Sequence, residues 1–84
     1  MVKLTQDRDR DGALVVRVEG RLEAEGVQDL RTVCAGGPRG VLDLAGLRGA
    51  DEDGWMLLRS LKGAGWGIAG ASLFASRVLE EAGS

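Results

Sequence analysis

Residues 40 to 46 read GVLDLAG, an apolar run with a single acid embedded in it, Asp43, lying between two stretches of quite different periodicity. A run of this length and composition suits a short strand covered by helices, and its neighbours supply them. Before it, LEAEGVQDLRTVCAGG places Leu22, Val27, Leu30 and Val33 or Cys34 at helical spacing, which predicts a helix from about Ala24 to Ala35 with Gly36 and Gly37 as its stop. After it, Leu57, Leu58, Leu61 and Ala64 make an apolar stripe on a second helix that ends near Gly63 to Gly65.

The flanks extend the pattern in both directions. VKLTQ alternates apolar and polar, ALVVRVEG does so again at Leu14, Val16 and Val18, and the strongly polar DRDRDG lies between them. That is a hairpin with a turn closed by Asp11 and Gly12, and the charges of its tip are read as a solvated surface. Towards the other end WGIAG is long enough only for a strand. SLFASRVLEEAG predicts a last helix with Ser72 as N-cap, Phe74, Val78, Leu79 and Ala82 on one face, and Gly83 as stop. The order strand, strand, helix, strand, helix, strand, helix predicts a mixed sheet with helical cover.

With 84 residues, 44% of them hydrophobic, the chain can build one core and no second. Stability on the order of 4 to 12 kcal/mol leaves little to sacrifice to an elaborate active site. A net charge of -2, with 11 basic residues scattered through the sequence, argues against a nucleic-acid surface. No apolar stretch approaches the roughly 18 to 20 residues of a membrane span, and the N-terminus lacks the apolar centre of a signal peptide, so a cytoplasmic protein is expected. A single cysteine, Cys34, agrees with a reducing compartment.

Chemistry is hard to assemble. The chain has no His and no Tyr, so Cys34 lacks an imidazole to activate it and reads as a buried structural thiol on a helical stripe. Gly65, Gly67 and Gly70 fit the spacing G-x-G-x-x-G, but a dinucleotide fingerprint opens a helix and has an acid about 20 residues further on. Only 14 residues follow Gly70, and Trp66 and Ile68 look like strand side chains. Asp51, Glu52 and Asp53 invite a metal, yet a hard cation wants ligands converging from several directions and no second acidic cluster is placed to meet them. The expectation is a non-enzymatic chain with no metal and no cofactor.

What remains to be explained is GADEDGW, Gly49 to Trp55, three acids crowded between an apolar strand and an apolar helix. Two readings stay open. The acids cap the following helix, whose N-terminal N–H groups and dipole favour negative charge by about 0.3 to 1 kcal/mol each. Alternatively they cap it and also present charge to a basic partner, with Trp55 as an apolar anchor or tucked against the core.

From Ala13 onward the sequence resembles the STAS family, the small domains of bacterial anti-sigma factor antagonists and of some anion and lipid transporters. VVRVEGRLEAEGVQDL places Gly20, Leu22, Glu23 and Leu30 on the family's first signature. LDLAGLRGADEDGW places Asp43, Leu44, Asp51 and Gly54 on its second, a strand ending Asp-Leu, six residues, then Asp-Ser-(Ser/Ala/Thr)-Gly opening a helix. The final SLFASRVLEEAG is similar to the family's closing segment. The resemblance implies one STAS-like α/β domain over 1–84, with 1–12 an N-terminal strand and hairpin turn and 13–84 the family-like region. It implies a four- or five-stranded mixed sheet with about three helices mostly on one face.

It further implies a regulatory, non-enzymatic module whose partner is an anti-sigma factor with serine-kinase activity. In antagonists the residue after the first Asp of the second signature is the phosphoacceptor, and here that position is Glu52, so the phosphosite is lost. A carboxylate carries about -1 where phosphoserine carries about -1.5 to -2, and no kinase adds or removes it. The working surface expected is the loop Gly49 to Gly54, including Asp51, Glu52, Asp53 and Gly54, with Trp55, Met56, Arg59 and Lys62 on the next helix. RGA at 48–50, where the family has bulkier residues, suggests a loosened approach to that loop. The alternative partner is a transport ATPase of the lipid ABC type, with the chain as accessory subunit; binding of a small ligand near the same loop is a weaker third. The oligomeric state is left open.

Overall fold

The computed structural model describes residues 2–35 and 39–81. The hairpin forms as its alternation predicts, from β1 (Val2–Arg8) and β2 (Leu14–Leu22), antiparallel with Val2 opposite Gly20 and Arg8 opposite Leu14. β1 runs further into the polar stretch than its apolar residues require, because the turn is organised by Asp9: its carboxylate accepts from the N–H groups of Asp11 and Ala13, both at 2.9 Å. Gly12 completes the turn at φ +82°, a conformation that disfavours residues with a Cβ.

β2 is the hub of the sheet. On one side it pairs with β1; on the other it pairs in parallel with β3 (Val41–Asp43) and, past a register shift between Gly20 and Arg21, with β4 (Leu47–Ala50). β3 in turn pairs in parallel with β5 (Gly67–Ala69), giving five strands in one mixed sheet. Three helices connect them: α1 (Glu25–Ala35), α2 (Glu52–Gly63) and α3 (Leu73–Glu81).

The faces of the sheet divide cleanly. Val16, Val18 and Leu22 of β2 are fully buried while Arg17 and Arg21 between them are exposed. Leu30 of α1, Leu57 and Leu58 of α2 and Leu79 of α3 join Val16, Val18 and Leu42 in one core cluster, so all three helices cover the same face. Full burial of a Leu or Val side chain stabilises by about 1.5 to 3 kcal/mol, and seven side chains in this core, five of them Leu, are sealed completely. The opposite face is solvated and carries an ion pair, Arg17 Nε to Asp43 Oδ2 at 3.4 Å.

Several expectations need correction. Leu22 ends β2 and is not on the first helix, which starts one residue later than expected because Ala24 is a turn residue at φ +47°. β4 has no counterpart in the predicted element order; RGA at 48–50 is hydrogen-bonded strand and not a loosened approach. It forms although LRGA has weak strand character, since the C-terminal half of β2 extends beyond β3 and takes a second partner. Ala64 is exposed as the C-cap of α2, its N–H donating to Ser60 and Leu61 carbonyls, and is not on the apolar stripe. Phe74 is 68% exposed; the residues that α3 buries are Ala75 and Leu79. The proposed stops Gly36, Gly37 and Gly83, and the face residue Ala82, lie outside the described residues.

Two other motifs resolve as expected. Gly67 to Ala69 of the glycine-spaced segment are β5, with Trp66 buried ahead of them, so no helix opens there. Cys34 is buried on α1, and desolvation pushes its thiol up to about 11, which keeps it protonated and unreactive near neutral pH.

Candidate functional site

The acidic run is not a loop. Gly49 and Ala50 belong to β4, Asp51 is the N-cap of α2, and Glu52, Asp53 and Gly54 form the first helical turn. Asp51 is extended at φ -79°, ψ -179°, and its Oδ1 accepts from the Gly54 N–H at 2.7 Å. Its backbone N–H donates to Leu22 O at 3.1 Å, and its Oδ2 accepts from the Ala24 N–H at 3.4 Å. One carboxylate therefore ties the start of α2 to the end of β2 and to the turn that leads into α1.

Gly54 makes this possible. It is buried, and a Cβ there would stand 2.5 Å from Leu22 O and 2.9 Å from the Ala50 Cβ, contacts that no side chain tolerates. The glycine is thus a close-approach residue, buried where α2 meets β2 and β4. Glu52 and Asp53, by contrast, are exposed, and Asp53 stands beside Ala24, Gln28 and Arg31 of the α1 region. Among the described residues no group of three or more acidic, His or Cys side chains stands close enough to hold a metal ion.

The next helix splits the remaining site residues. Trp55 is half-buried against the core, its ring edge-on to Phe74 at 6.0 Å between centroids and 71° between planes. Met56 is 56% exposed and lies with Arg59 and Lys62 along an open groove between α2 and α3, closed on the far side by Leu79 and Glu80. Arg59 is less free than expected: it is half-buried, and its Nε donates to Val78 O at 3.3 Å, joining the two helices.

The pairs Trp55 with Phe74 and Arg59 with Val78 advance four residues on each helix, so α2 and α3 run side by side in the same direction. Their first turns therefore share one end of the domain, next to the carboxyl ends of β4 and β5. Leu73, 74% exposed, and Phe74 open α3 there, with Ser72 Oγ accepting from the Ala75 N–H at 3.1 Å as the cap. The exposed apolar side chains Leu73 and Phe74 thus stand at the same end of the domain as the exposed acids Glu52 and Asp53, with Phe74 edge-on to Trp55 and Met56 exposed on the next position of α2. The sequence signal for Leu73 and Phe74 was present, an apolar pair directly after a capping serine, but helical periodicity assigned Phe74 to the core.

No protein-family model matches the sequence, and no curated protein matches it either. Solved structures do. The anti-sigma factor antagonist SpoIIAA in its unphosphorylated form superposes with a TM-score of 0.67 at 16% identity, over 93% of this chain and 82% of that one. An antisigma-factor antagonist STAS domain from Rhodobacter sphaeroides gives 0.61 at 22% identity, over 83% and 87%. A DUF3478-family protein with a SpoIIAA-like fold from Shewanella loihica gives 0.57 at 17% identity, over 96% and 75%. What is shared at these identities is the architecture: the chain has the SpoIIAA-like fold of STAS domains, with its five-stranded mixed sheet and three helices. No described helix is long and apolar enough to cross a membrane.

Proposed function

We propose that this chain is a non-enzymatic, cytosolic protein-interaction module of the antagonist type, in which Glu52 stands at the phosphoacceptor position and holds the site in one charge state. Its partner meets the shared end of α2 and α3. The observation that carries this reading is the sharing of one end of the domain by two exposed acids that make no cap hydrogen bond and two exposed apolar side chains, Leu73 and Phe74, that the core does not bury. Exposed apolar clusters rimmed by charge mark binding sites, with aromatic residues as anchors and rim charges setting the association rate. A basic partner surface with an apolar centre is complementary to it.

The test is affinity capture from the source cell's lysate with three baits: the native chain, Glu52→Ser and Leu73→Ser, read by mass spectrometry. Recovery of an anti-sigma factor that Leu73→Ser loses supports the proposal, and recovery by Glu52→Ser alone identifies Glu52 as a lock on the released state. A transport ATPase held by the native and Ser baits replaces the antagonist reading with that of an accessory subunit. Equal recovery of one partner by all three baits removes this surface from the interaction.

A further inference from the structure

β1 closes one edge of the sheet, with β2 on its inner side and no strand on its outer side among the described residues. Its free groups are identified by the ladder. Asp9 N–H donates to Ala13 O at 3.0 Å, continuing the β1–β2 register, and in an antiparallel pair bonded positions alternate with unbonded ones. Lys3, Thr5 and Asp7 therefore exchange their backbone bonds with β2, whereas Leu4 and Gln6 turn their N–H and C=O groups outward. Arg8 fits the same phase, its N–H being taken by the Asp7 carboxylate at 2.8 Å and not by β2.

Such an edge is a template for another strand, and native edges are commonly blunted by charged side chains, Lys above all, by proline or by a bulge. β1 has no proline and pairs with β2 without a register shift along all seven residues. Its charges, moreover, are complementary to those of its own sequence. In an antiparallel pairing of VKLTQDR with itself about Thr5, Leu4 faces Gln6 and both outward backbone pairs meet, while Lys3 faces Asp7 at both ends. Those Lys3 and Asp7 positions fall in the close, unbonded pairs of the new ladder, where opposite charges stabilise and like charges oppose. Asp7 faces only Val15 across β2, so its charge has no opposite number directly across its own sheet, whereas Lys3 faces Glu19.

The geometry points to β1 as a self-association edge: a second copy of this chain adds its β1 antiparallel across a two-fold axis at Thr5, joining the two sheets into one of ten strands. The contact is isologous, as a two-fold pairing requires, and it leaves the α2 and α3 surface of each copy open. It is independent of the partner proposed above, and either can fail alone.

Sedimentation equilibrium at about 0.2 mM, a concentration suited to a small interface of the transient class, tests it on the full chain. The native chain is expected to sediment as a monomer–dimer mixture. Lys3→Glu sets Glu against Asp7 and Asp7→Lys sets Lys against Lys3, so each variant alone is expected to weaken dimerisation at least tenfold. Mixed in equal amounts, the two variants restore both opposite-charge pairs and recover the dimer. Gln6→Pro removes an outward N–H that β2 does not use, which an edge strand tolerates, and is also expected to give a monomer with an unchanged circular dichroism spectrum. A native chain that stays monomeric, or a dimer that persists in Lys3→Glu or Gln6→Pro, overturns the inference. So do two charge variants that fail to recover each other.

Discussion

The first turns of α2 and α3 lie side by side and are capped by the same device, an oxygen of the residue before the helix accepting from an N–H three residues on. They are otherwise built for opposite purposes. Asp51 is held from three directions and Gly54 is pressed against Leu22, so the start of α2 is fixed by the sheet. Ser72 makes only the local cap bond among the described contacts of its side chain, and the two residues after it project into solvent. Position within a helix cap thus decides what a residue is for: the cap itself serves the fold, and the exposed residues just beyond it are free to serve recognition.

Substitutions can break that contrast in order of size. Gly54→Ala should lower the unfolding free energy by about 3 kcal/mol, since backbone has to move to admit the methyl group, and a urea titration reads it directly. A loss below about 1 kcal/mol would mean that α2 is not pinned to β2 at this point. Asp51→Ala should cost about 2 kcal/mol and Ser72→Ala about 1 kcal/mol or less, because the first also releases Ala24 while the second removes a local bond alone. Equal losses would erase the proposed difference between the two caps.

The smaller effects sharpen the comparison. Glu52→Gln should cost about 0.3 to 1 kcal/mol through the helix dipole, an effect that added salt diminishes. It should also slow association with a basic partner at low salt. Leu73→Ser should change stability by no more than about 0.5 kcal/mol, measured by the same titration, while abolishing partner capture. A destabilisation several times larger would show that Leu73 serves the core.

Much of this was legible in the sequence because the signals were local. The hairpin follows from alternation around a polar turn, α1 from the spacing of Val27, Leu30 and Cys34, and an acidic cap on α2 from the acids preceding an apolar stripe, although which of them caps, Asp51, is set by the structure. β4 was not legible, since LRGA has neither alternation nor branched residues and becomes a strand only because β2 outruns β3. Phe74 misled for a related reason. A stripe at helical spacing states that residues share a face, but the face that α3 turns to the core is the one carrying Ala75 and Leu79, and Leu73 and Phe74 fall outside it. Likewise Arg59 was legible as a surface cation but not as a tie to Val78, which depends on α3 running alongside α2.

The position of β2 as hub has a consequence for how the chain reaches this state. β1 and β2 can meet as soon as residue 22 has been made, but a lone two-stranded hairpin is marginal in water. Its stabilising neighbours β3 and β4 come only after α1 has been traversed, and parallel pairing requires that crossover to be in place. Commitment to the fold therefore waits on contacts distant along the chain, and refolding should be slow for a domain of this length, closer to small mixed proteins than to helical bundles. During synthesis the chain holds an incomplete sheet until most of it has left the ribosome, with the edge of β1 unguarded throughout.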